Sequence, residues 1–186
     1  MPDFTNSPPA DSHSPGISLI RTPGNRPLVA IVTSDDLVGT NTHYYRNRTS
    51  PCEGDGCPIC AEGLSWRWHG YLSCVDQGTK EHILFEFTAQ ASDAFRAYRA
   101  RYGTLRGCLF KATRHAQRYN GRVSIQTRPA DLEGKDLPPP VNLKAMLCHI
   151  WNISMPEAEI LGTVKDHPRI NVRKNPTMKG NSQPVG

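Results

Sequence analysis

The middle of the chain alternates between apolar and polar positions, a pattern that is typical of half-buried β-strands. Leu28–Val32 is a short β-branched run that predicts a first strand, and residues 66–75 predict a second. His82–Thr88 predicts a third strand, because large apolar side chains recur at every second position. The turn-forming residues 76–78 separate the second and third strands, so these two strands are predicted to form a hairpin.

The period of the apolar residues lengthens to three or four in Ala89–Tyr102, which predicts an amphipathic helix. Gly103 lies where a left-handed residue would end that helix. Residues 107–114 and 122–128 alternate again and predict two more strands, with Asn120 and Gly121 forming a tight turn between them. The order β-β-β-α-β-β is that of the oligonucleotide/oligosaccharide-binding fold (OB-fold), whose helix lies between strands 3 and 4.

The predicted fold class is therefore mainly β: a five-stranded OB-fold barrel with a cysteine-rich insertion between strands 1 and 2 and a C-terminal helical appendix. The predicted regions are a disordered tail at 1–26, an OB-fold domain at 27–130 with its insertion at 40–64, a helical appendix at 131–170 and a basic disordered tail at 171–186. Within the appendix, residues 141–151 predict a helix and residues 156–161 a shorter helical turn. We interpret the appendix as packing on the barrel or as a site of self-association.

Composition limits the cellular setting and the class of partner. With 186 residues and 37% hydrophobic content, the chain is large enough for one ordinary core. It has no apolar run long enough to span a membrane, and its first 16 residues do not resemble a secretory signal. We therefore expect a cytoplasmic, nucleoid-associated protein, in which clustered cysteines bind metal more often than they form disulfides. The formal net charge of +5 is compatible with a polyanionic partner.

Four residues in the first long connection have the spacing of a metal site. His43, Cys52, Cys57 and Cys60 are separated by eight, four and two residues. Zinc prefers four sulfur or nitrogen ligands in a tetrahedron, and a Cys-x-x-Cys pair can bind one ion from a tight turn. Four protein ligands would leave no position for a water molecule. The prediction is one structural Zn²⁺ per chain, which makes the insertion at 40–64 a zinc-binding insertion.

Other interpretations of these cysteines stay open. Cys57 and Cys60 could form a redox pair, although such pairs precede a long helix, which the glycines around this segment disfavour. The fourth zinc ligand could be His69 or Cys74 instead of His43. Cys74, Cys108 and Cys148 each lie in an apolar pattern and are expected to be core residues.

Aromatic and basic residues are mixed on both sides of the cysteine-rich segment. Single-stranded nucleic acids are bound by aromatic rings that stack on bases and by Lys and Arg side chains that contact phosphates. Residues 92–128 add nine Lys or Arg residues against a single acidic residue, Asp93. In an OB-fold, the face of strands 2 and 3 and the loops 1–2 and 4–5 form the binding groove. The predicted nucleic-acid contacts are Tyr44, Tyr45, Arg46, Arg48, Trp66, Arg67, Trp68, His69, Tyr71, Lys111, Arg114, Arg118 and Arg122.

The alternative for the tryptophans is a place in the core. Trp66 and Trp68 are two positions apart and could both point inward. Arg67, His69 and Tyr71 would then lie on the opposite, solvent-exposed face, which also suits a groove.

The combination of a His…Cys…Cys-x-x-Cys element, an OB-fold order of strands and neighbouring tyrosines and arginines resembles the zinc-bearing single-stranded-DNA-binding proteins of T4-type phages. The resemblance covers roughly residues 43–128 and is one of pattern. It implies non-catalytic binding of single-stranded DNA in replication, recombination or repair. The ligand spacings differ from that family, and this chain ends in a basic tail where such replication proteins end in an acidic one.

Two functions of other kinds compete with DNA binding. An RNA-binding regulator would use the same aromatic and basic surface. A zinc-stabilised protein–protein adaptor would use the exposed tryptophans. An enzyme is not expected, because the sequence contains no phosphate-binding loop, no nucleophile motif and no paired carboxylates.

Overall fold

The computed structural model describes residues 17–46, 48–117, 121–134 and 136–154. Within these ranges the chain is mainly β, with eight strands in one mixed sheet and three α-helices. The strands are β1 (Ser18–Arg21), β2 (Leu28–Val32), β3 (Val38–Tyr45), β4 (Arg48–Pro51), β5 (Arg67–Asp76), β6 (His82–Thr88), β7 (Cys108–Arg114) and β8 (Val123–Pro129). The helices are α1 (Pro58–Ala61), α2 (Ala89–Tyr102) and α3 (Leu143–Trp151).

The central strands have a Greek-key arrangement. Strand β2 lies between β5 and β7, and β6 pairs with the far edge of β5, so the spatial order is β7-β2-β5-β6. This is the order in which a fourth strand returns beside the first, and α2 lies in the returning connection. Strand β8 continues the sheet beyond β7, and β3 pairs with both β5 and β4. Strand β1 is parallel to β6, whereas the other pairings are antiparallel.

The sheet is strongly coiled around one apolar core. The rings of Phe85 on β6 and Phe110 on β7 stack with centroids 4.9 Å apart. In a flat sheet, strands three positions apart would be separated by about 14 Å. Phe95 of α2 packs against both rings. The Nε atom of Arg114, at the end of β7, donates a hydrogen bond of 2.6 Å to the carbonyl of Thr22, which follows the edge strand β1. The described pairings leave the sheet open, so a closed five-stranded barrel stays a prediction.

Helix α2 confirms its predicted bounds. Ala91, Phe95 and Tyr98 are buried, and Gly103 adopts a left-handed conformation with φ of 80°. The Gly103 N–H donates to the Arg99 carbonyl at 2.8 Å, which ends the helix. The five predicted strands are also present: β2 and β6 have the predicted bounds, and β5, β7 and β8 begin one residue later.

The prediction of a disordered segment at 1–26 is wrong for the part that forms β1. Ile17 is buried and Ile20 packs on the core, so this Pro-rich segment still contributes enough apolar surface to pair with β6. Strands β3 and β4 were not predicted either, because Gly, Asn and Thr interrupt the apolar alternation that marks a strand.

Helix α3 covers the face of the sheet opposite to α2. Leu143 and Met146 pack with Leu84 of β6, and the ring of Trp151 meets that of Tyr71 at 5.7 Å. The helix predicted at 141–151 is thus confirmed except that it begins two residues later, and it packs on the sheet of its own chain. Its use in self-association stays a prediction. The predicted turn at 156–161 and the tail at 171–186 lie outside the described residues. In the part of the chain that the structure describes, no helix combines the length and the apolar character needed to cross a membrane.

Candidate metal centre and its flanking surface

Residues 38–46 and 48–66 form an extension of the sheet that we call the metal hairpin. Its first strand, β3, pairs with the beginning of β5 over five register positions. Strand β4 then returns along β3, and the Cys52 N–H donates to the Asn41 carbonyl at 2.8 Å. The predicted insertion at 40–64 is therefore a β-structure anchored on the main sheet.

Three different local structures present the four candidate ligand side chains. His43 lies on β3, Cys52 directly follows β4, and Cys57 and Cys60 are separated by the beginning of α1. Gly54 and Gly56 have φ angles of 77° and 85°, which side chains with a Cβ rarely adopt. This left-handed turn reverses the chain, and the Cys57 N–H donates to the Gly54 carbonyl at 3.1 Å.

The four donor atoms converge on one point. Nε2 of His43 lies 3.6 Å from Sγ of Cys57 and 3.4 Å from Sγ of Cys60. The sulfur atoms of Cys52 and Cys60 are 3.6 Å apart, and all four donors lie within 4.8 Å of one another. A tetrahedral ion with metal–sulfur bonds of about 2.3 Å and a metal–nitrogen bond of about 2.0 Å separates its ligands by about 3.5–3.8 Å. The cluster could therefore hold a metal ion.

A hydrogen bond orients the imidazole of His43. Its Nδ1–H donates to the Ser65 carbonyl at 3.3 Å, so Nε2 carries the free lone pair that faces the cysteines. The side chain is 1% exposed, which excludes water from this side of the cluster. Metal-binding histidines commonly donate their second ring N–H to a carbonyl in this way.

The thiols of Cys57 and Cys60 differ in acidity. A hydrogen bond with the Glu53 backbone is the largest of the influences that lower the pKa of Cys57 to about 6. Burial raises the pKa of Cys60 to about 11. Because metals bind thiolates, metal binding at this cluster is expected to release protons.

His69 and Cys74, the alternatives to His43 as the fourth ligand, are not part of the cluster. Cys74 and Cys108 are fully buried core residues, and burial raises the pKa of both thiols. Nδ1 of His69 lies 2.6 Å from the Thr42 hydroxyl, and burial lowers the pKa of His69. His43, as predicted, is the residue that joins the cysteines. Cys148 is partly buried on α3.

A partly buried ion pair ties the metal hairpin to the sheet. The carboxylate of Glu86 is buried and accepts a hydrogen bond from Nε of Arg21 at 2.8 Å. Nη2 of Arg21 donates to the hydroxyl of Thr49 on β4 at 2.7 Å. The next residue, Thr22, accepts from Arg114. Sequence reasoning missed this link, because Arg21 lies in the segment predicted to be disordered.

Several predicted nucleic-acid contacts surround the metal cluster. Tyr44 and Trp66 are 66% and 52% exposed, although both are large aromatic residues. The guanidinium of Arg46 lies 4.9 Å above the ring of Tyr45, whose hydroxyl donates to Glu62 at 3.1 Å. The remaining exposed basic residues of this group are Arg48 and Arg67.

Three predicted contacts on β5 are less accessible. Trp68 and His69 are half-buried, and Trp68 packs against the core. Tyr71 is fully buried, so its prediction as a nucleic-acid contact is wrong for this structure. The alternation correctly places Tyr71 on the outer face of the sheet, but α3 covers that face at Tyr71.

The predicted contacts of the second half lie farther along the sheet. Arg114 donates to the carbonyls of Thr22 and Gly121. The residue before Thr22 is Arg21, which donates to Thr49 in the metal hairpin. Arg122 is exposed, and Lys111 is exposed between Val29 and Gln126. None of the contacts among the described residues joins Lys111 to the hairpin. Arg118 lies outside the described residues.

Comparison with models of protein families, with curated proteins and with solved structures finds no match to this chain. The donor set, the exposed side chains and the strand order are therefore the observations on which function can be argued.

Proposed function

We propose that the metal ion is Zn²⁺ and that its role is structural. Three thiolates and one imidazole form a donor set that suits this ion, and the separations of 3.4–3.6 Å between three pairs of donors are close to those of a tetrahedron. Because the protein supplies four ligands, no coordination position is left for a substrate or an activated water. The ion would fix the metal hairpin, whose four ligands come from β3, the end of β4 and both ends of the α1 turn.

We further propose that the chain binds single-stranded DNA without catalysis, in replication, recombination or repair. The observation that carries this proposal is the exposure of Tyr44 and Trp66 beside the exposed Arg46, Arg48 and Arg67. Exposed aromatic rings offer stacking platforms for bases, and the arginines offer contacts for phosphates. A rigid, metal-bound hairpin would hold these side chains in place before the strand arrives.

The strand arrangement supports an OB-fold as the scaffold. Strands β2, β5, β6, β7 and β8 would correspond to OB strands 1 to 5, with α2 in the connection between strands 3 and 4. The metal hairpin then lies in the connection between strands 1 and 2, and Arg122 lies in that between strands 4 and 5. Arg21 donates a hydrogen bond to Thr49 in the first connection. The carbonyl of Thr22 accepts one from Arg114 beside the second connection. These are the two connections that bind nucleic acid in OB-folds.

Titration of the full chain with a dye-labelled single-stranded DNA oligomer, followed by fluorescence anisotropy, tests the binding. Tyr44→Leu or Trp66→Leu should weaken affinity by roughly five-fold or more for each ring that stacks. Tyr102→Leu is the matched control, because Tyr102 is an exposed aromatic residue on α2. Duplex DNA of the same length should bind more weakly, since stacking requires unpaired bases.

Salt dependence separates phosphate contacts from stacking. Arg48→Ala or Arg67→Ala should make the slope of log K against log salt shallower by about 0.7 for each arginine that binds a phosphate. Arg101→Ala is the control on α2. Wild-type protein that shows no affinity for single strands at low salt, or that binds duplex equally well, would refute the DNA-binding proposal. An RNA oligomer of the same sequence distinguishes a DNA-binding protein from an RNA-binding regulator.

A protein–protein adaptor is the second candidate function. Leu64 and Trp66 are both exposed and stand next to the metal cluster, so they offer a small apolar surface to a protein partner. Failure of the oligomer titration would make this candidate the leading one.

A further inference from the structure

The indole of Trp68 lies over two glycines that face each other on neighbouring strands. Gly39 on β3 and Gly70 on β5 are register partners. A Cβ atom added at Gly39 would lie 2.0 Å from Cζ2 of Trp68. One added at Gly70 would lie 2.6 Å from the ring of Phe87 and 2.7 Å from Cη2 of Trp68. Neither glycine has a positive φ angle, so the backbone does not require glycine here. Glycine is required at both positions because neighbouring rings occupy the space that a side chain would need.

Beside Trp68, a groove of about 1030 Å³ runs between the loop at Asp36 and Leu37 and helix α2. Binding pockets for small organic groups have volumes of roughly 300–1,000 Å³, so the groove is large enough for one or more nucleosides. The ring of Trp68 lines the groove and touches Phe87 edge-on, with centroids 6.3 Å apart. It thus forms part of the groove wall while it is anchored on the core.

The charges in the groove are balanced. Its charged lining residues are Asp36, Asp93, Arg96 and Arg99, and Arg99 pairs with Asp36 at 2.9 Å. Such a lining does not favour a phosphate group. It suits an uncharged, planar group with both hydrogen-bond donors and acceptors on its edge, which describes a nucleobase.

The groove lies next to an exposed basic residue, Arg122. Gln90 lines it, and in the amide orientation that satisfies both side chains its oxygen accepts hydrogen bonds from Nε and Nη2 of Arg122, at 3.1 and 2.7 Å. On the other side, Trp68 is two residues from the exposed Trp66. A strand bound at the metal hairpin would therefore reach the groove.

We propose that this groove binds a nucleobase of the single strand, stacked on the indole of Trp68, with the edge of the base toward Asp93 and Arg96 and its phosphate outside. This inference rests on the proposed function and adds a specific base site to it. Part of the bound strand would then lie on the side of the sheet that bears α2. It would not lie on the outer face of β5 and β6, which α3 covers.

Single-tryptophan reporters test the site. The chain has three tryptophans, so Trp66→Phe with Trp151→Phe leaves only Trp68 as an emitter. We expect its fluorescence to be quenched by an unlabelled oligodeoxythymidylate, while an abasic strand of the same length binds through its phosphates without quenching. The anisotropy of a labelled oligomer measures binding separately in both cases.

A substitution gives the second test. Trp68→Leu keeps an apolar side chain against Phe87 but removes the ring, and it should weaken oligomer binding by roughly five- to 150-fold. Tyr102→Leu should leave affinity unchanged. Binding that leaves Trp68 emission unaltered, or wild-type affinity in a folded Trp68→Leu protein, would overturn the base site while the proposed function stands. Absence of any anisotropy change would refute both. The reporter and abasic measurements decide the question even if Trp68→Leu does not fold.

Discussion

The coiled sheet and the metal hairpin differ in what they bury. Fifteen buried residues form the main core of the sheet, with phenylalanines from β6, β7 and α2 in mutual contact. Among the described residues of the metal hairpin, only Thr42, His43 and Cys57 are buried. Burial of apolar surface therefore stabilises the first region, whereas the second has little of it to contribute.

This difference indicates how the hairpin keeps its shape. Its strands pair with each other and with β5, but a two-stranded hairpin without an apolar face is marginally stable in water. A metal ion held by the four side chains of the cluster would supply the missing stabilisation from a small number of atoms. A surface held in this way can display Tyr44, Trp66 and several arginines without burying them.

Removal of the metal should have the largest effect of the changes considered. Cys57→Ser, or chelation of the wild-type protein, should unfold residues 41–63 and leave the sheet folded, because structural zinc contributes about 10–16 kcal/mol of apparent binding free energy in small zinc peptides. Hydrogen exchange should show reduced protection at the Cys52, Ala61 and Gly63 amides. Cys148→Ser is the control. Unchanged protection in the metal-free protein would contradict the comparison.

Truncation of a core ring should have the opposite effect to metal removal: it should destabilise the sheet and leave the metal site intact. Phe110→Ala removes stacking on Phe85 and contact with Phe95, and we expect a decrease of about 3–5 kcal/mol in the free energy of unfolding. Urea denaturation measures this decrease, and elemental analysis of the folded fraction should still find about one zinc per chain. Tyr44→Ala, which truncates the most exposed of the large apolar side chains among the described residues, should change stability little. Metal loss in the folded Phe110→Ala protein would show that the two regions are not independent.

The buried carboxylate between the two regions should have an intermediate effect. Glu86→Gln weakens the charge-assisted hydrogen bonds with Arg21, and such bonds contribute about 1.5–3 kcal/mol. Urea denaturation should show a decrease in this range, with faster exchange of the amides of β1. Glu62→Gln, at an exposed carboxylate, is the matched control. Equal effects of the two substitutions would argue against the anchoring role of Glu86.

The hydroxyl of Thr49 should contribute least. Thr49→Val preserves the shape of the side chain and removes the acceptor for Arg21, which should lower stability by about 0.5–1.5 kcal/mol. A double-mutant cycle with Arg21→Met isolates this interaction. A coupling energy near zero would mean that the hairpin is held on the sheet by β3–β5 pairing alone.

Sequence patterns succeeded where burial is periodic. The alternation in β6 and the longer period in α2 follow directly from one apolar face, and the structure confirms both sets of bounds. The cysteine spacing also identified the residues that converge, because two glycines and a Cys-x-x-Cys pair define the turn locally.

The rest depends on long-range contacts that no local pattern contains. Strand β1 exists because it pairs with a strand more than sixty residues away, and Arg21 becomes an anchor only beside Glu86. Tyr71 alternates correctly, yet a helix about seventy residues later covers it. The sequence also did not predict that Gly39 and Gly70 make room for the ring of Trp68, because this role depends on the register of β3 with β5.

The parallel pairing of β1 with β6 has a consequence for the behaviour of the protein in solution. Strand β6 contains Ile83, Leu84, Phe85 and Phe87, and β1 occupies the hydrogen-bonding edge that this strand would otherwise present. An unpaired, strongly apolar edge is a template on which other chains add as further strands. The four residues of β1 thus protect this edge from aggregation. A shortened protein that begins after residue 21 would be expected to precipitate even though it retains the main core and all four residues of the His/Cys cluster.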